Sequence, residues 1–301
     1  MISVGNITVG GTGKTPMVEW LARWFRAAGL PVAIISRGYG ASAGARNDEA
    51  LELEQRLPDV PHLQDADRVA AAQTAIEEFE CQLILLDDAF QHRRIHRDLD
   101  IVLMDALEPF GYGHLLPRGL LREPPANLAR AQVVALSRAD LIDDEELHPL
   151  RRTIRDVAPS AVHVEIAHRP QRLLLWPHEH QPIERLLGEP IAAFCGIGNP
   201  EGFRRTLAQS GLNVVAFRHF PDHHPYGRED LDAISTWAHE VRAKAVLCTH
   251  KDLVKIRSRH LGGCALHALL IGIDILAGRD GFEDRLRQCT AEWLRRGENQ
   301  V

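Results

Sequence analysis

Residues 8–15 read TVGGTGKT, and this stretch decides the fold of the first half of the chain. Residues 1–6 before it are typical of the end of a buried strand, and the apolar, helix-like run at 16–28 after it ends at Gly29. Small residues between a strand and a helix let successive backbone N–H groups point at one anion. The pattern therefore predicts a phosphate-binding loop. Its residues are Thr8, Val9, Gly10, Gly11, Thr12, Gly13, Lys14 and Thr15.

The last residues of this loop indicate the ligand. Lys14 can reach the β- and γ-phosphates of a nucleoside triphosphate, and the Thr15 hydroxyl can bind Mg²⁺. Thr8 stands where the usual pattern has glycine, but three other glycines still give the loop its conformational freedom. The alternative is a glycine turn that contains GKT by chance, and the flanking strand and helix argue against it. We expect ATP and Mg²⁺ as cofactors.

A second motif is an apolar strand that ends in two acids. Residues 83–88 read LILLDD, so Asp87 and Asp88 follow a buried strand as the Mg²⁺-binding acid does in P-loop proteins. Either carboxylate can hold the metal ion. The alternative is a solvated turn whose acids cap the next helix.

The rest of the chain predicts an α/β protein. Short apolar runs separated by helical patterns are typical of a P-loop-like, doubly wound and mostly parallel sheet, here followed by a second, smaller α/β domain. We expect domains at 1–170 and 171–301, the second closing over the cleft, with an irregular connection at 168–190. The predicted strands are 31–36, 82–86, 100–104, 132–136, 161–166, 190–195, 212–217, 245–249 and 266–271, and the predicted helices include 66–78, 144–157 and 229–241.

Composition narrows the class of protein. The chain has 301 residues, a formal charge of −6 and 45% hydrophobic residues, so we expect a compact fold and no nucleic-acid partner. Five cysteines are scattered without a CxxC pair, which favours reduced thiols and no structural metal. The apolar runs are too short to span a bilayer, and residues 1–30 lack the pattern of a signal peptide.

Five segments in a fixed order carry a resemblance to a known family. They are VGNITVGGTGKTP at 4–16, SRGYG at 36–40, NDEA at 47–50, LLDDAFQHRR at 85–94 and LPRGLLREP at 116–124. Together they resemble the tetraacyldisaccharide 4′-kinase family of lipid A biosynthesis. The resemblance implies transfer of the ATP γ-phosphoryl group to the 4′-hydroxyl of a lipid A disaccharide 1-phosphate. It also implies a peripheral enzyme at the cytoplasmic face of the inner membrane.

The resemblance also assigns roles to single residues. Asp48 in NDEA matches the family's catalytic aspartate, a general base for the sugar hydroxyl, and His223 in FPDHHPY at 220–226 matches the histidine that works with it. With Lys14 they form the predicted catalytic set. The residues that match positions around the disaccharide are Arg37, Tyr39, Arg68, Gln91, His92, Arg122 and Glu123.

Without the resemblance these residues have more ordinary interpretations. Asp48 would be an exposed loop acid, His223 a solvent-exposed or capping histidine, and Arg68 and Arg122 partners in surface ion pairs. Ala50 replaces a proline that many relatives carry, which leaves the shape of that loop open. Residues 249–252 (THKD) match a Thr-x-Lys-Asp segment of the family whose role the sequence does not give.

Two other functions stay open at this point. Residues 137–140 read SRAD and loosely resemble the guanine-reading N-K-x-D element, so a P-loop GTPase or metallochaperone-like nucleotide switch is the alternative. An inactive nucleotide-binding protein is the second, although the acids of the site are present. Family members usually begin earlier, with an apolar helix in or on the membrane. We therefore expect Met1 to be either an internal start or the start of a short form.

Overall fold

The computed structural model describes residues 1–38 and 48–298, with side chains described up to residue 291. The chain forms two compact units. The first comprises Met1–Arg37, Val60–Ala167 and Ile273–Val301, and the second comprises Gly38–Asp59 and His168–Gly272, each within the described residues. Each unit thus draws on both halves of the chain, whereas the sequence predicted domains at 1–170 and 171–301. That division of function stays a prediction.

Strands and helices alternate along most of the chain. The strands are β1 (Ile2–Asn6), β2 (Val32–Ser36), β3 (His62–Gln64), β4 (Leu83–Asp87), β5 (Leu99–Asp105), β6 (Val133–Ser137), β7 (Val162–Leu175), β8 (Glu179–Gln181), β9 (Ile191–Cys195), β10 (Val214–His219), β11 (Ala245–Thr249), β12 (His260–Leu261) and β13 (Cys264–Ala277). The helices are α1 (Lys14–Ala27), α2 (Asp48–Arg56), α3 (Arg68–Glu77), α4 (Asp144–Val157), α5 (Pro200–Gln209), α6 (Arg228–Glu240), α7 (His250–Ile256) and α8 (Arg279–Glu298).

The first unit is a parallel sheet with strand order β7-β6-β5-β1-β4-β2-β3. Each of these pairings is parallel, and β1 lies between β4 and β5 with Val4 opposite Asp87 and Ile101. The apolar runs bury their side chains on both faces, as the sequence predicted for central strands. Because all strands run the same way, Asn6, Asp87 and Asp105 come together at the carboxyl edge of the sheet, where ligands bind in such folds.

The second unit has its own parallel strands, in the order β10-β9-β11-β13. The short strand β12 pairs antiparallel with β13, and β8 pairs antiparallel with the end of β7. Two apolar clusters form its core, one around Phe194, Trp237 and Leu253 and the other around Phe203 and Leu247. The α/β class with a mostly parallel sheet is confirmed.

Two expectations about local structure were wrong, and one helix was not predicted. The stretch at 168–190 is not an irregular connection, because β7 runs on to Leu175 and pairs with β8. The prolines and histidines there suggested a loop, but the buried run Leu173–Leu175 makes a hairpin strand. Asp48 is not an exposed loop acid, because it is the buried first residue of α2. The helix α7 at residues 250–256 was not predicted.

No helix among the described residues is long and apolar enough to cross a membrane.

Candidate active site

The backbone of the phosphate loop depends on its glycines. Gly10 and Gly13 have φ of +112° and +92°, a region that is strained for any residue with a Cβ atom. Helix α1 begins at Lys14, directly after Gly13. Because Gly13 has no side chain to cap the helix, the first N–H groups of α1 stay open to an anion. The predicted loop thus has the backbone of a phosphate site.

A neighbouring segment of the first unit holds this loop in place. The Val9 N–H donates to the carbonyl of Leu120 at 2.8 Å, and the Arg122 N–H donates to the carbonyl of Ile7 at 2.7 Å. Within the loop region, Asn6 Nδ2 donates to Thr12 Oγ1 at 3.2 Å. The LPRGLLREP segment therefore supports the loop through its backbone, which the sequence did not predict.

The side chain of Arg138 also holds the phosphate loop in place. Its guanidinium donates to the Gly11 carbonyl at 2.8 Å and pairs with Asp105 Oδ2 at 2.5 Å. Both side chains of this pair are buried. The SRAD segment that resembled a guanine-reading element thus places its arginine against the phosphate loop. No motif in the sequence indicated this role.

Several charged side chains contact Asp88, which follows the carboxyl end of β4. Its Oδ1 lies 3.7 Å from Lys14 Nζ, and Arg122 donates to both carboxylate oxygens at 2.6 and 2.8 Å. Burial raises the pKa of Asp88, but the charges of Lys14 and Arg122 outweigh it and lower the pKa to about 2. Asp88 also has φ of +47°, a strained conformation of the kind that clusters at functional sites.

The donors at this edge fit Mg²⁺. Thr15, Asp87 and Asp88 offer one hydroxyl and two carboxylates, the hard oxygen ligands that Mg²⁺ prefers. The described residues hold no group of three or more histidine, cysteine, aspartate or glutamate side chains arranged around a metal position. A magnesium site needs none, since Mg²⁺ is usually held by one or two carboxylates together with phosphate oxygens and water.

Four of the residues predicted to bind the acceptor form one network in the first unit. Arg68 is buried and donates to the carbonyls of Asp87 and Asp88 at 3.1 and 2.9 Å. Gln91 Nε2 donates to Glu123 Oε1 at 2.7 Å and to the Asn6 carbonyl at 2.8 Å. Arg122, the fourth, binds Asp88 as described above. The interpretation of Arg68 and Arg122 as surface pairs is therefore incomplete, because both are tied to the acidic strand end.

The other predicted acceptor residues differ in their surroundings. Arg37 is exposed, and His92 is partly buried with its pKa lowered by burial and by the nearby Arg68 and Arg94 charges. Tyr39 lies outside the described residues. The roles of these residues toward a substrate stay predictions.

The second unit brings Asp48 and His223 together. His223 Nδ1 lies 3.0 Å from both carboxylate oxygens of Asp48, although the two residues are 175 positions apart in the sequence. The Asp48 side chain is 7% exposed and the His223 side chain 50%. The Nδ1–H group of His223 therefore donates to a buried carboxylate, while Nε2 lies 3.8 Å from Asp222 Oδ1.

Aromatic side chains fix the loop that carries His223. Phe220 stacks on His224 with ring centroids 4.9 Å apart, and Tyr226 packs edge-on against Phe194 at 5.6 Å. The His223 N–H donates to the Gly196 carbonyl at 3.2 Å, and His223 has φ of +58°. A strained residue held this firmly is typical of a functional site.

Charges of the second unit set the ionisation of this pair. Burial raises the pKa of Asp48, but the hydrogen bond from His223 and the Lys251 and Lys255 charges outweigh it and lower the pKa to about 2. In turn, the hydrogen bond to Asp48 raises the pKa of His223. Asp48 is therefore a carboxylate at neutral pH.

Sequence reasoning gave Lys251 no role and did not identify Lys255, although both lysines lie beside this pair. Lys251 Nζ lies 2.6 Å from Glu49 Oε1, and Lys255 Nζ lies 3.7 Å from Asp48 Oδ2. The spacing of four residues, which places both on one face of a helix, was a signal that could have found them.

Parallel sheet, phosphate loop and acidic strand end together define a P-loop nucleotide-binding protein. A family model described as Tetraacyldisaccharide-1-P 4'-kinase matches residues 1–290. The chain therefore belongs to the tetraacyldisaccharide-1-P 4′-kinase family, and the predicted family, fold class and ATP-dependent kinase function are confirmed.

Individual relatives agree with this assignment. The Tetraacyldisaccharide 4'-kinase of Anaeromyxobacter dehalogenans strain 2CP-C is 40% identical over 305 aligned residues, which cover 95% of this chain and 80% of that protein. That of Syntrophus aciditrophicus strain SB is 39% identical over 289 residues, covering 85% and 75%. The crystal structure of the "apo" form of LpxK from Aquifex aeolicus in complex with ATP has a TM-score of 0.71 at 27% identity, covering 96% of this chain and 87% of that one.

Proposed function

We propose that this kinase transfers the γ-phosphoryl group of ATP to the 4′-hydroxyl of a tetraacyldisaccharide 1-phosphate, with Asp48 as the group that accepts the hydroxyl proton. Family membership supports the substrate class. The observation that carries the catalytic role is the contact of Asp48 with His223 at 3.0 Å, since two residues so distant in sequence meet and Asp48 is a buried carboxylate. In the transfer the sugar oxygen bonds to the γ-phosphorus, and the bond from that phosphorus to the β-phosphate oxygen breaks.

The phosphate loop is assigned to the nucleotide. Its backbone N–H groups and the ammonium of Lys14 would hold the β- and γ-phosphates. Thr15, Asp87 and Asp88 would hold Mg²⁺. When bound, Mg²⁺ would neutralise the negative charge that develops during transfer.

Asp48 is suited to this reaction despite its low pKa. Phosphoryl transfer passes through a loose transition state in which the attacking hydroxyl has lost little of its proton. A weak base that is always ionised is then sufficient, because it orients the hydroxyl and takes the proton as the new bond forms. His223 keeps the carboxylate oriented by donating to it, and the same hydrogen bond raises the pKa of His223.

Arg122 and its neighbours are assigned to the acceptor. Arg122 is bonded to Asp88, which is also a proposed metal ligand. The Arg122 guanidinium would bind an anionic group such as the 1-phosphate when Asp88 is engaged as a metal ligand. Arg37, Tyr39, Arg68, Gln91, His92 and Glu123 complete the proposed set.

We further propose peripheral contact with the cytoplasmic face of the inner membrane, and no nucleic-acid partner. The acyl chains of the substrate are confined to a membrane, and exposed apolar side chains favour binding to its surface. Tyr112, Leu115 and Leu116, close in sequence, are 69%, 47% and 51% exposed. Replacing both leucines by serine should reduce co-sedimentation with anionic phospholipid vesicles, and unchanged binding would remove this surface from the proposal.

The catalytic proposal is tested by transfer of label from γ-labelled ATP to tetraacyldisaccharide 1-phosphate in detergent with Mg²⁺. Asp48→Ala should abolish most of the transfer and leave ATP binding unchanged. Asp232→Ala is the matched control, because Asp232 is a highly exposed acid of the same unit. A wild-type chain that binds ATP but labels no disaccharide would overturn the proposed reaction, and full activity of Asp48→Ala would overturn the role of Asp48.

A further inference from the structure

The Thr-x-Lys-Asp segment at 249–252 has no part in the function proposed so far, yet it contains a buried acid. The Asp252 side chain is 0% exposed. Its carboxylate accepts hydrogen bonds from Thr249 Oγ1 at 2.6 Å, from Tyr226 Oη at 2.9 Å and from the Gly196 N–H at 3.1 Å. A carboxylate this well satisfied is a fixed point of the second unit, and it cannot reach a substrate itself.

Lys255 lies one turn further along α7, between this fixed acid and the proposed base. Its Nζ is 3.5 Å from Asp252 Oδ1 and 3.7 Å from Asp48 Oδ2. The same ammonium lies 5.3 Å from the centroid of the Tyr226 ring, within the range of a cation–π interaction. The ammonium is buried and makes no hydrogen bond within the described residues.

These distances decide what Lys255 can do for Asp48. At 3.7 Å the interaction is electrostatic and takes up no lone pair of the carboxylate. The hydrogen bonds to Asp48 come instead from His223 and from the Glu49 N–H at 3.1 Å. A lone pair can therefore stay available for the proton of a hydroxyl group.

We propose that Lys255, anchored by Asp252 and Tyr226, is a positioning residue that holds the Asp48 carboxylate in the orientation needed for phosphoryl transfer. This inference rests on the proposed role of Asp48. The Lys255 charge is also among the causes that lower the pKa of Asp48, after burial, which raises it, and after His223 and Lys251.

The test combines Lys255→Met with Asp48→Ala. Lys255→Met alone should lower kcat about 10- to 100-fold, the size of effect that a misplaced catalytic group produces, with the KM for ATP unchanged. If Lys255 acts through Asp48, the double variant should be no slower than Asp48→Ala alone. A merely structural role would not give this coupling. Lys244→Met is the matched control, because Lys244 is exposed in the same unit.

Two outcomes with Lys255→Met would overturn the proposal, and a third involves Lys255→Arg. One is a Lys255→Met variant as active as Lys244→Met, and the other is a double variant slower than Asp48→Ala by the full factor of the single substitution. Lys255→Arg keeps the charge and should retain most of kcat, so it tests the same claim if Lys255→Met does not fold; an inactive but folded Lys255→Met and Lys255→Arg pair would argue for packing instead. Failure of the proposed function is distinguishable, since it would be seen as absent transfer by the wild-type chain.

Discussion

The phosphate loop of the first unit is held mainly by hydrogen bonds that other residues make to its main-chain atoms. The Asp48–His223 pair of the second unit is held mainly by charged side chains. Leu120, Arg122 and Arg138 all contact main-chain atoms of the loop region. Around Asp48, the side chains of His223 and Lys255 make most of the contacts, together with the Glu49 N–H.

This difference shows how each region tolerates change. A backbone that binds phosphate in this way requires a positive φ at Gly10 and Gly13. A short stretch of sequence is therefore almost enough to identify the loop. A charged pair requires only that two side chains lie at the right distance, and loops of many different sequences can place them there. The first region should therefore lose nucleotide binding when it is disturbed, and the second should lose the chemical step.

The largest expected effect is on catalysis and tests this division directly. Asp48→Asn keeps the shape of the side chain but removes its ability to take a proton. We expect kcat to fall about 10²- to 10⁴-fold, the usual contribution of a general base, with little change in ATP affinity. Lys14→Met should instead weaken ATP binding as well. Steady-state kinetics together with calorimetric titration of ATP measure both quantities, and equal losses of ATP affinity in the two variants would contradict the division.

A smaller effect, on stability, is expected from Arg138→Met. It leaves Asp105 charged and buried without its guanidinium partner, a change that costs about 3–5 kcal/mol. The Gly11 carbonyl also loses its donor, so ATP affinity should fall as well. Urea unfolding measures the first effect and calorimetry the second. Arg152→Met, at an exposed arginine of the same unit, is the control, and equal midpoints for the two variants would show that Arg138 does not brace the loop.

The same contrast explains what the sequence could predict. The phosphate loop, the acidic strand end and the strands around them are local patterns, and the structure has them where the patterns indicated. The partners of Asp48 are not local, because 175 positions separate it from His223 and only the family resemblance connected them. Arg138 could not be found either, since its role depends on the pairing of β5 with β6 that places Asp105 opposite Ser137. The continuation of β7 from residue 167 to Leu175 was missed because prolines and histidines outweighed three leucines.

Gly196→Ala should disturb the second unit alone. A Cβ atom at this position would lie 2.9 Å from Tyr226 Oη and 3.2 Å from the Pro221 carbonyl, too close for either. We expect a loss of stability of about 1–3 kcal/mol, as for other overpacked sites. The loop that carries His223 must shift, so kcat should also fall while ATP affinity is kept.

Gly281→Ala in α8 is the control for this substitution, because its new Cβ would meet only Val162 at 3.4 Å. It should be neutral or slightly stabilising, since alanine favours a helix over glycine. Reduced ATP affinity in Gly196→Ala would mean that the two regions are not as separable as their contacts indicate.

The smallest expected effect is the pH dependence that His223 gives to stability. Its pKa is raised in the folded chain, so the contribution of its pair with Asp48 is fully present below the unfolded value near 6.5 and is lost as pH rises through the folded pKa. The pKa of Asp48 is lowered to about 2, so on the acid side the contribution is lost as pH falls from the unfolded value of 3.8 through about 2.

The difference in unfolding free energy between wild type and His223→Gln should therefore be largest between these limits. Because half of the His223 side chain is exposed, we expect no more than about 1 kcal/mol. Urea unfolding from pH 5 to 9, with the exposed His219→Gln as control, measures it, and a difference that grows with pH would mean that the pair does not stabilise the second unit through the charge of His223.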